Sequence, residues 1–292
     1  MKIINFSFLL VLLLLTGSCM ENHLANEKTS GLQKIPRQKS GILKTPPTHV
    51  VIVIEENHSE SQIIGNPEAP YMNWLAKNSA FFTHSYAIEH PSQPNYLDLF
   101  SGSNQGVQND SCPHTFSSPN LASELIANHL SFRGYSEDLP SVGSKVCTNK
   151  AYARKHSPWV NFTNVPSDAS LPFSHFPKNY SHLPTVSFVI PNLDHDMHNG
   201  TVKSADNWLK SNIGPYVKWM KDHNSLLILT WDENDGSSGN RILTLFKGPM
   251  VQNGKYAEPI NHFTVLRTIE SLYDLPFLGK SADVHPITSI WK

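Results

Sequence analysis

Net charge is nearly absent from this 292-residue chain. Its 23 Lys and Arg face 24 Asp and Glu, leaving −1 at neutral pH. The basic excess of a nucleic-acid binder is therefore missing. The one pronounced apolar run, Phe8 to Leu15, falls short of the roughly 20 residues that a membrane-spanning helix needs. There is no internal repeat. Three familiar catalytic signatures are also missing: the Gly-x-Ser-x-Gly elbow, the Gly-x-x-x-x-Gly-Lys phosphate loop and the His-Glu-x-x-His zinc helix. Asp232-Glu233-Asn234-Asp235-Gly236 is not a calcium-binding EF-hand loop. Its glycine comes one position early and the closing Glu is missing. Cysteine is scarce, with only Cys19, Cys112 and Cys147.

What is present divides the chain into three parts. Residues 1–18 read as a signal peptide: Lys2, the apolar run, then Thr16-Gly17-Ser18 leading to Cys19. The expectation is an exported protein of the periplasm or cell envelope. It is either lipid-anchored through Cys19 or, if Cys19 merely follows an ordinary cleavage site, secreted. Thr16 stands where a lipoprotein signal usually has Leu. Residues 19–47 are rich in Lys, Asn, Ser, Gln and Pro, the composition of a flexible tether. Residues 48–292 suffice for one large domain with its own core. In an oxidising compartment Cys112 and Cys147 can pair as a disulfide; two free thiols are the alternative.

Within that domain three continuous apolar runs read as strands buried on both faces: His49 to Ile54, Thr185 to Ile190 and Ser225 to Trp231. Arg241 to Phe246 reads as a fourth. Helices are expected around Tyr71 to Ser79, from Pro94 to Phe100 with Gly102 after it, over Leu121 to Leu130, over Ala205 to Asp222 with a bend at Gly214-Pro215, and over Phe263 to Tyr273. Alternating apolar strands and helices imply an α/β fold whose parallel sheet is covered on both faces.

The three buried strands end in Glu55-Glu56-Asn57-His58, in Pro191-Asn192-Leu193-Asp194-His195-Asp196-Met197-His198, and in Asp232-Glu233. Polar residues after one strand merely make a turn. Three such clusters at one sheet edge point to a ligand site, because open α/β sheets bind ligands at strand carboxyl ends. Glu56, Asn57, Asp232 and Glu233 offer hard oxygen ligands to a divalent cation such as Ca²⁺, Mg²⁺ or Mn²⁺. Asp194 and His198, four apart just past a strand, form a mixed set that would also accept Zn²⁺; His262, near the start of the last helix, is by itself more often structural than a ligand. Ser92, in His90-Pro91-Ser92-Gln93-Pro94-Asn95, stands before the helix expected from Pro94. There the free N–H groups and the helix dipole favour a bound phosphate. Ser92 is either a nucleophile or only a helix cap. Asn95, about one turn in, is a candidate donor to a phosphoryl oxygen.

Ser92-x-Pro94-Asn95 before a helix resembles the nucleophile motif of nucleotide pyrophosphatases in the alkaline phosphatase superfamily. Glu56-Asn57-His58-Ser59 and Trp231-Asp232-Glu233 resemble motifs of the bacterial phospholipase C and acid phosphatase family. From His49 to Trp291 the chain is most similar to the short secreted acid phosphatases of that family. The resemblance implies an alkaline-phosphatase-like three-layer sandwich with a mostly parallel central sheet. It further implies a metal-dependent phosphomonoesterase that acts through a phosphoserine at Ser92. Glu56, Asn57, Asp232 and Glu233 would hold the metal, and Asp194, His198 and His262 occupy places where two-metal relatives hold a second ion, here a weaker site. Asp194, His195 and Asn95 would bind substrate, and His198 or His262 would protonate the leaving alcohol. His90 and Asp196 are lesser candidates. The expected substrate is a phosphate-ester small molecule or a phospholipid headgroup. Two alternatives stay open: a phospholipase C-like diesterase, and a non-catalytic lipoprotein that binds a ligand at a metal-stabilised site. A Ser at position 92 argues against the latter, because binding alone needs no nucleophile.

Overall fold

A computed structural model describes residues 42–237 and 239–292. The expected signal peptide, Cys19 and most of the tether lie outside the described residues. The strands, in chain order, are β1 (His49–Glu55), β2 (Ala80–Tyr86), β3 (Phe132–Ser136), β4 (Thr148–Asn149), β5 (Tyr152–Ala153), β6 (Ser170–Pro172), β7 (Val186–Ile190), β8 (Ser225–Trp231), β9 (Arg241–Lys247), β10 (Gly254–Tyr256) and β11 (Ile260–Asn261). The helices are α1 (Glu60–Ile63), α2 (Pro70–Lys77), α3 (Ser92–Ser101), α4 (Leu121–Ala127), α5 (Val202–Asn212), α6 (Gly214–Trp219) and α7 (His262–Leu272).

The main sheet runs β10-β2-β9-β8-β1-β7-β3-β6, with β11 continuing beside β2. All neighbours are parallel except β9, which is antiparallel to both β2 and β8. β1 lies at the centre, and its alternation feeds two cores. Val50, Ile52 and Ile54 pack with residues of α3, α4 and α7 on one face. Val51 and Val53 pack with α2, α5 and α6 on the other. This is a three-layer α/β sandwich. Both faces of β1, β7 and β8 are buried, as their unbroken apolar runs require.

Several elements depart from the sequence expectation. β2 and β3 carry Phe, Tyr, Gly, Ser and Arg, not a β-branched run, and they were not anticipated. The helix expected from Pro94 begins at Ser92, with Pro91 as its cap, and ends at Gly102. A Cβ on Gly102 would lie 1.9 Å from the Leu278 carbonyl oxygen, and its φ of +69° is left-handed, so glycine is required there. The bend at Gly214-Pro215 is a break between α5 and α6. The tether boundary at residue 47 lies inside the folded part. Ile42 and Leu43 pack against the core, and the Pro46 carbonyl accepts from Asn224 Nδ2 at 2.7 Å. Two aliphatic side chains among polar neighbours carry too little periodicity to reveal this.

Candidate active site

β1, β7 and β8 are adjacent and in register, with Val53 opposite both Val189 and Leu229, so their carboxyl ends reach one edge together. Backbone hydrogen bonds tie the exits to each other. Glu56 N donates to Asp196 O at 2.8 Å, and Asp232 N donates to Glu55 O at 3.0 Å. Asn57 then turns the chain with a φ of +52°, and its N–H donates to Asp232 Oδ1 at 3.2 Å. The result gathers Glu56, Asp196, Asp232 and Glu233, each no more than 4% exposed.

Ser92 is equally buried. Its hydroxyl donates to Glu233 Oε1 at 3.1 Å. The second oxygen of Glu233 meets His90 Nδ1 at 2.5 Å, and His90 is 44% exposed. A proton path therefore runs from the buried hydroxyl through a carboxylate to an imidazole at the surface. Asp110 Oδ1 accepts the Gln93 N–H at the N-terminus of α3 at 3.0 Å.

The sequence reading missed His156 and Lys155. His156 sits in the 3-10 turn Arg154–His156 and stacks on Tyr96 of α3 at 4.9 Å. The Arg154 guanidinium fixes this turn by donating to Asn161 Oδ1, Lys145 O and His114 O. His156 Nε2 pairs with Glu56 Oε1, and its Nδ1 pairs with Asp196 Oδ2 at 3.2 Å. Lys155 Nζ donates to Asp110 Oδ2 at 2.7 Å and contacts His198 Nε2 at 3.2 Å. The available signal was a basic triplet before Pro158-Trp159, in a segment without periodicity. That pattern reads as a solvated loop.

Charge decides what the cluster can hold. Burial raises the pKa of Asp232 well above the ordinary carboxylate range, and Glu56 and Glu233 raise it further. Glu233 is also raised by burial, with His90 and Ser92 opposing. Burial works against the charge on Glu56 as well, but the His156 imidazolium outweighs it and holds Glu56 low. Burial would lower His156; its carboxylate partners Glu56 and Asp196 raise it to about 9. Glu56 Oε1, Asp196 Oδ2, Asp232 Oδ2 and Glu233 Oε2 are buried without a hydrogen bond, although all but Asp232 Oδ2 meet a histidine as ion pairs. Such oxygens suit a hard divalent cation. Glu56, His156 and Asp196 alone bring three ligand atoms within 4.8 Å of one another.

Four sequence expectations need correction. Asp194 is exposed on the turn after β7, and the carboxylate that faces the cluster is Asp196, two residues on. That turn is irregular, so no strand or helix period selects which side chain points inward. His195 is drawn away to Glu137, at 2.8 Å. Asn95 spends its amide on the preceding loop: Oδ1 accepts from Ile88 N and Glu89 N, and Nδ2 donates to Glu89 O. His262 is buried at the start of α7, and its Nε2 donates to Asp232 O at 2.6 Å. Burial lowers its pKa to about 4, and its Nδ1 is buried without a hydrogen bond, so this ring braces the Asp232 backbone from inside the core. Cys112 and Cys147 form a disulfide. A surface cleft of about 780 Å³ against α2 and α6 holds none of these residues.

Residues 66–276 match the phosphoesterase family. The chain is 53% identical over 246 residues to the phosphatidylinositol-3-phosphatase of Mycobacterium tuberculosis, covering 83% of this chain and 82% of that protein. It is 32% identical to the phosphate-repressible acid phosphatase of Penicillium chrysogenum over 70% of this chain, and spans 55% of that protein's length. Among solved structures, an alkaline phosphatase superfamily protein from Vibrio parahaemolyticus superposes with a TM-score of 0.59 at 13% identity, over 84% of this chain and 72% of that one.

Proposed function

Because this chain belongs to the phosphoesterase family, we propose that it is an exported, metal-dependent phosphomonoesterase that works through a phosphoserine at Ser92. That it hydrolyses phosphate esters follows from the family and from its phosphatase relatives. A role limited to ligand binding is set aside. The observation that carries the finer reading is the buried Ser92 hydroxyl donating to Glu233 Oε1 beside the buried, unpartnered Oδ2 of Asp232.

The residues suit these roles. Glu233 draws the Ser92 proton and leaves the oxygen nucleophilic, and His90 connects Glu233 to solvent. Ser92 Oγ attacks phosphorus, and the bond to the leaving alcohol breaks. That alcohol takes its proton from the Lys155–His198 hydrogen bond. Water then hydrolyses the phosphoserine. Glu56, Asn57, Asp232 and Glu233 would hold a divalent cation, with His156 and Asp196 as the second carboxylate–imidazole set. When bound, the cation would supply Lewis-acid stabilisation of the phosphoryl oxygens.

A phosphate ester of a small molecule or of a lipid headgroup fits the reading. The phosphatidylinositol phosphatase relative favours the latter. Export by the signal peptide and anchoring at Cys19 complete the proposal. Cys19→Ser should move the protein from the membrane fraction to the soluble one.

Ser92→Ala tests the core of it. Rapidly quenched wild-type reactions with p-nitrophenyl phosphate should carry phosphate on the peptide containing Ser92. The variant should lose turnover by several orders of magnitude while keeping its melting temperature. A purely structural role for the Ser92–Glu233 hydrogen bond predicts the reverse, with about 1.5–3 kcal/mol of stability lost and turnover intact.

A further inference from the structure

A phosphate monoester is a dianion at neutral pH, yet four buried carboxyl groups, Glu56, Asp196, Asp232 and Glu233, crowd the site. His90 is taken up by Glu233, and two further basic groups stand among them. His156 is buried, and both its ring nitrogens face carboxylates, so it has no N–H left for a ligand. Lys155 stands at the rim with its side chain 15% exposed. Its ammonium has three N–H bonds. Asp110 Oδ2 takes one at 2.7 Å and His198 Nε2 another at 3.2 Å. His198 is set as the acceptor, because its Nδ1 is turned to Asn199 Oδ1 at 3.0 Å. The third N–H has no protein partner among these contacts.

Asp110 also fixes where that N–H lies. Its other oxygen accepts the amide of Gln93, the residue directly after Ser92. One carboxylate thus links Lys155 to the nucleophile's own helix end. The pair of Cys112 and Cys147 staples the two segments that carry Asp110 and Lys155.

We propose that Lys155, positioned by Asp110, makes this site select phosphate monoesters over diesters. A monoester bound at Ser92 has three non-bridging oxygens and two negative charges. A diester has two such oxygens and one charge. Lys155 donates to the oxygen that a diester lacks, and its ammonium sets a positive charge beside it. This rests on the phosphoesterase reading of Ser92 and names the substrate class of the same site.

The test compares kcat/KM for p-nitrophenyl phosphate and bis(p-nitrophenyl) phosphate in the full chain. Lys155→Met should cost about 10- to 100-fold on the monoester, the size of a lost hydrogen bond to a charged group. p-Nitrophenolate leaves without needing a proton, so loss of the Lys155–His198 donor should change the diester by only a few-fold, and the preference collapses. Lys155→Arg should restore part of it. Asp110→Asn, which keeps Lys155 but loosens its anchor, should lower the monoester-to-diester ratio several-fold and serves if Lys155→Met does not fold. An equal loss on both substrates, or an unchanged ratio in either variant, overturns the proposal. Calorimetry with inorganic phosphate in the Ser92→Ala background separates the two readings. Weaker phosphate binding on adding Lys155→Met supports the lysine's role even if Ser92 is not the nucleophile; unchanged binding overturns it.

Discussion

Asp232→Asn should make the metal-free protein more stable while removing its response to metal. The substitution keeps the shape of the side chain, and its Oδ1 still accepts the Asn57 N–H at 3.2 Å. It replaces Oδ2, buried without a hydrogen bond, by an NH₂ group close to the carboxyl groups of Glu56 and Glu233. A buried unsatisfied group costs on the order of 1–3 kcal/mol, so the variant should gain stability of about that size in EDTA. At roughly 2–4 °C per kcal/mol for a domain of this size, its melting temperature should rise by a few degrees. Wild type at a divalent cation concentration of 100 times Kd should gain about 2.7 kcal/mol, or roughly 5–10 °C. The variant lacks a charged ligand and should gain far less. Scanning calorimetry in EDTA, then with Ca²⁺, Mg²⁺, Mn²⁺ or Zn²⁺, reads both signs. A wild type indifferent to every cation, or a variant whose metal response is intact, would show that the carboxylates at this strand end only form a turn.

Asp98 predicts a pH effect away from the site. Burial and then Glu89 raise its pKa to about 8, against Lys280, and burial raises Glu270 to about 7. Folded Asp98 therefore keeps a proton that the unfolded chain releases near pH 4. Its contribution to stability is full below that pH and is lost as pH rises toward 8. Urea midpoints for Asp98→Asn should fall less than wild type between pH 5 and pH 8; parallel profiles would refute the assignment. The disulfide closes a 35-residue separation, worth about 3–4 kcal/mol in the chain-entropy model. Reduction should lower the urea midpoint, and an unchanged midpoint would mean that the bridge constrains nothing.

The sequence by itself determined the frame of this protein. Strands buried on both faces must be continuous apolar runs, so β1, β7 and β8 were legible, and so was the edge where they end. The placement of Glu56, Asn57, Asp232, Glu233 and Ser92 at that edge was legible too, because each lies within a few residues of a strand end or a helix start, where local rules apply. β2 and β3 escaped because aromatic and small residues gain their burial from neighbours that local patterning does not reveal.

Only the tertiary structure could choose Asp196 over Asp194, since an irregular turn has no period to predict which carboxylate points inward. Only the fold could bring in His156 and Lys155. They lie 64 and 63 residues after Ser92 in the chain, on a turn held by Arg154 and stapled by a disulfide. The sequence also showed His262 as a group that could exchange protons. Burial lowered its pKa, because a charge that water stabilises in the unfolded chain has no such support inside the folded one.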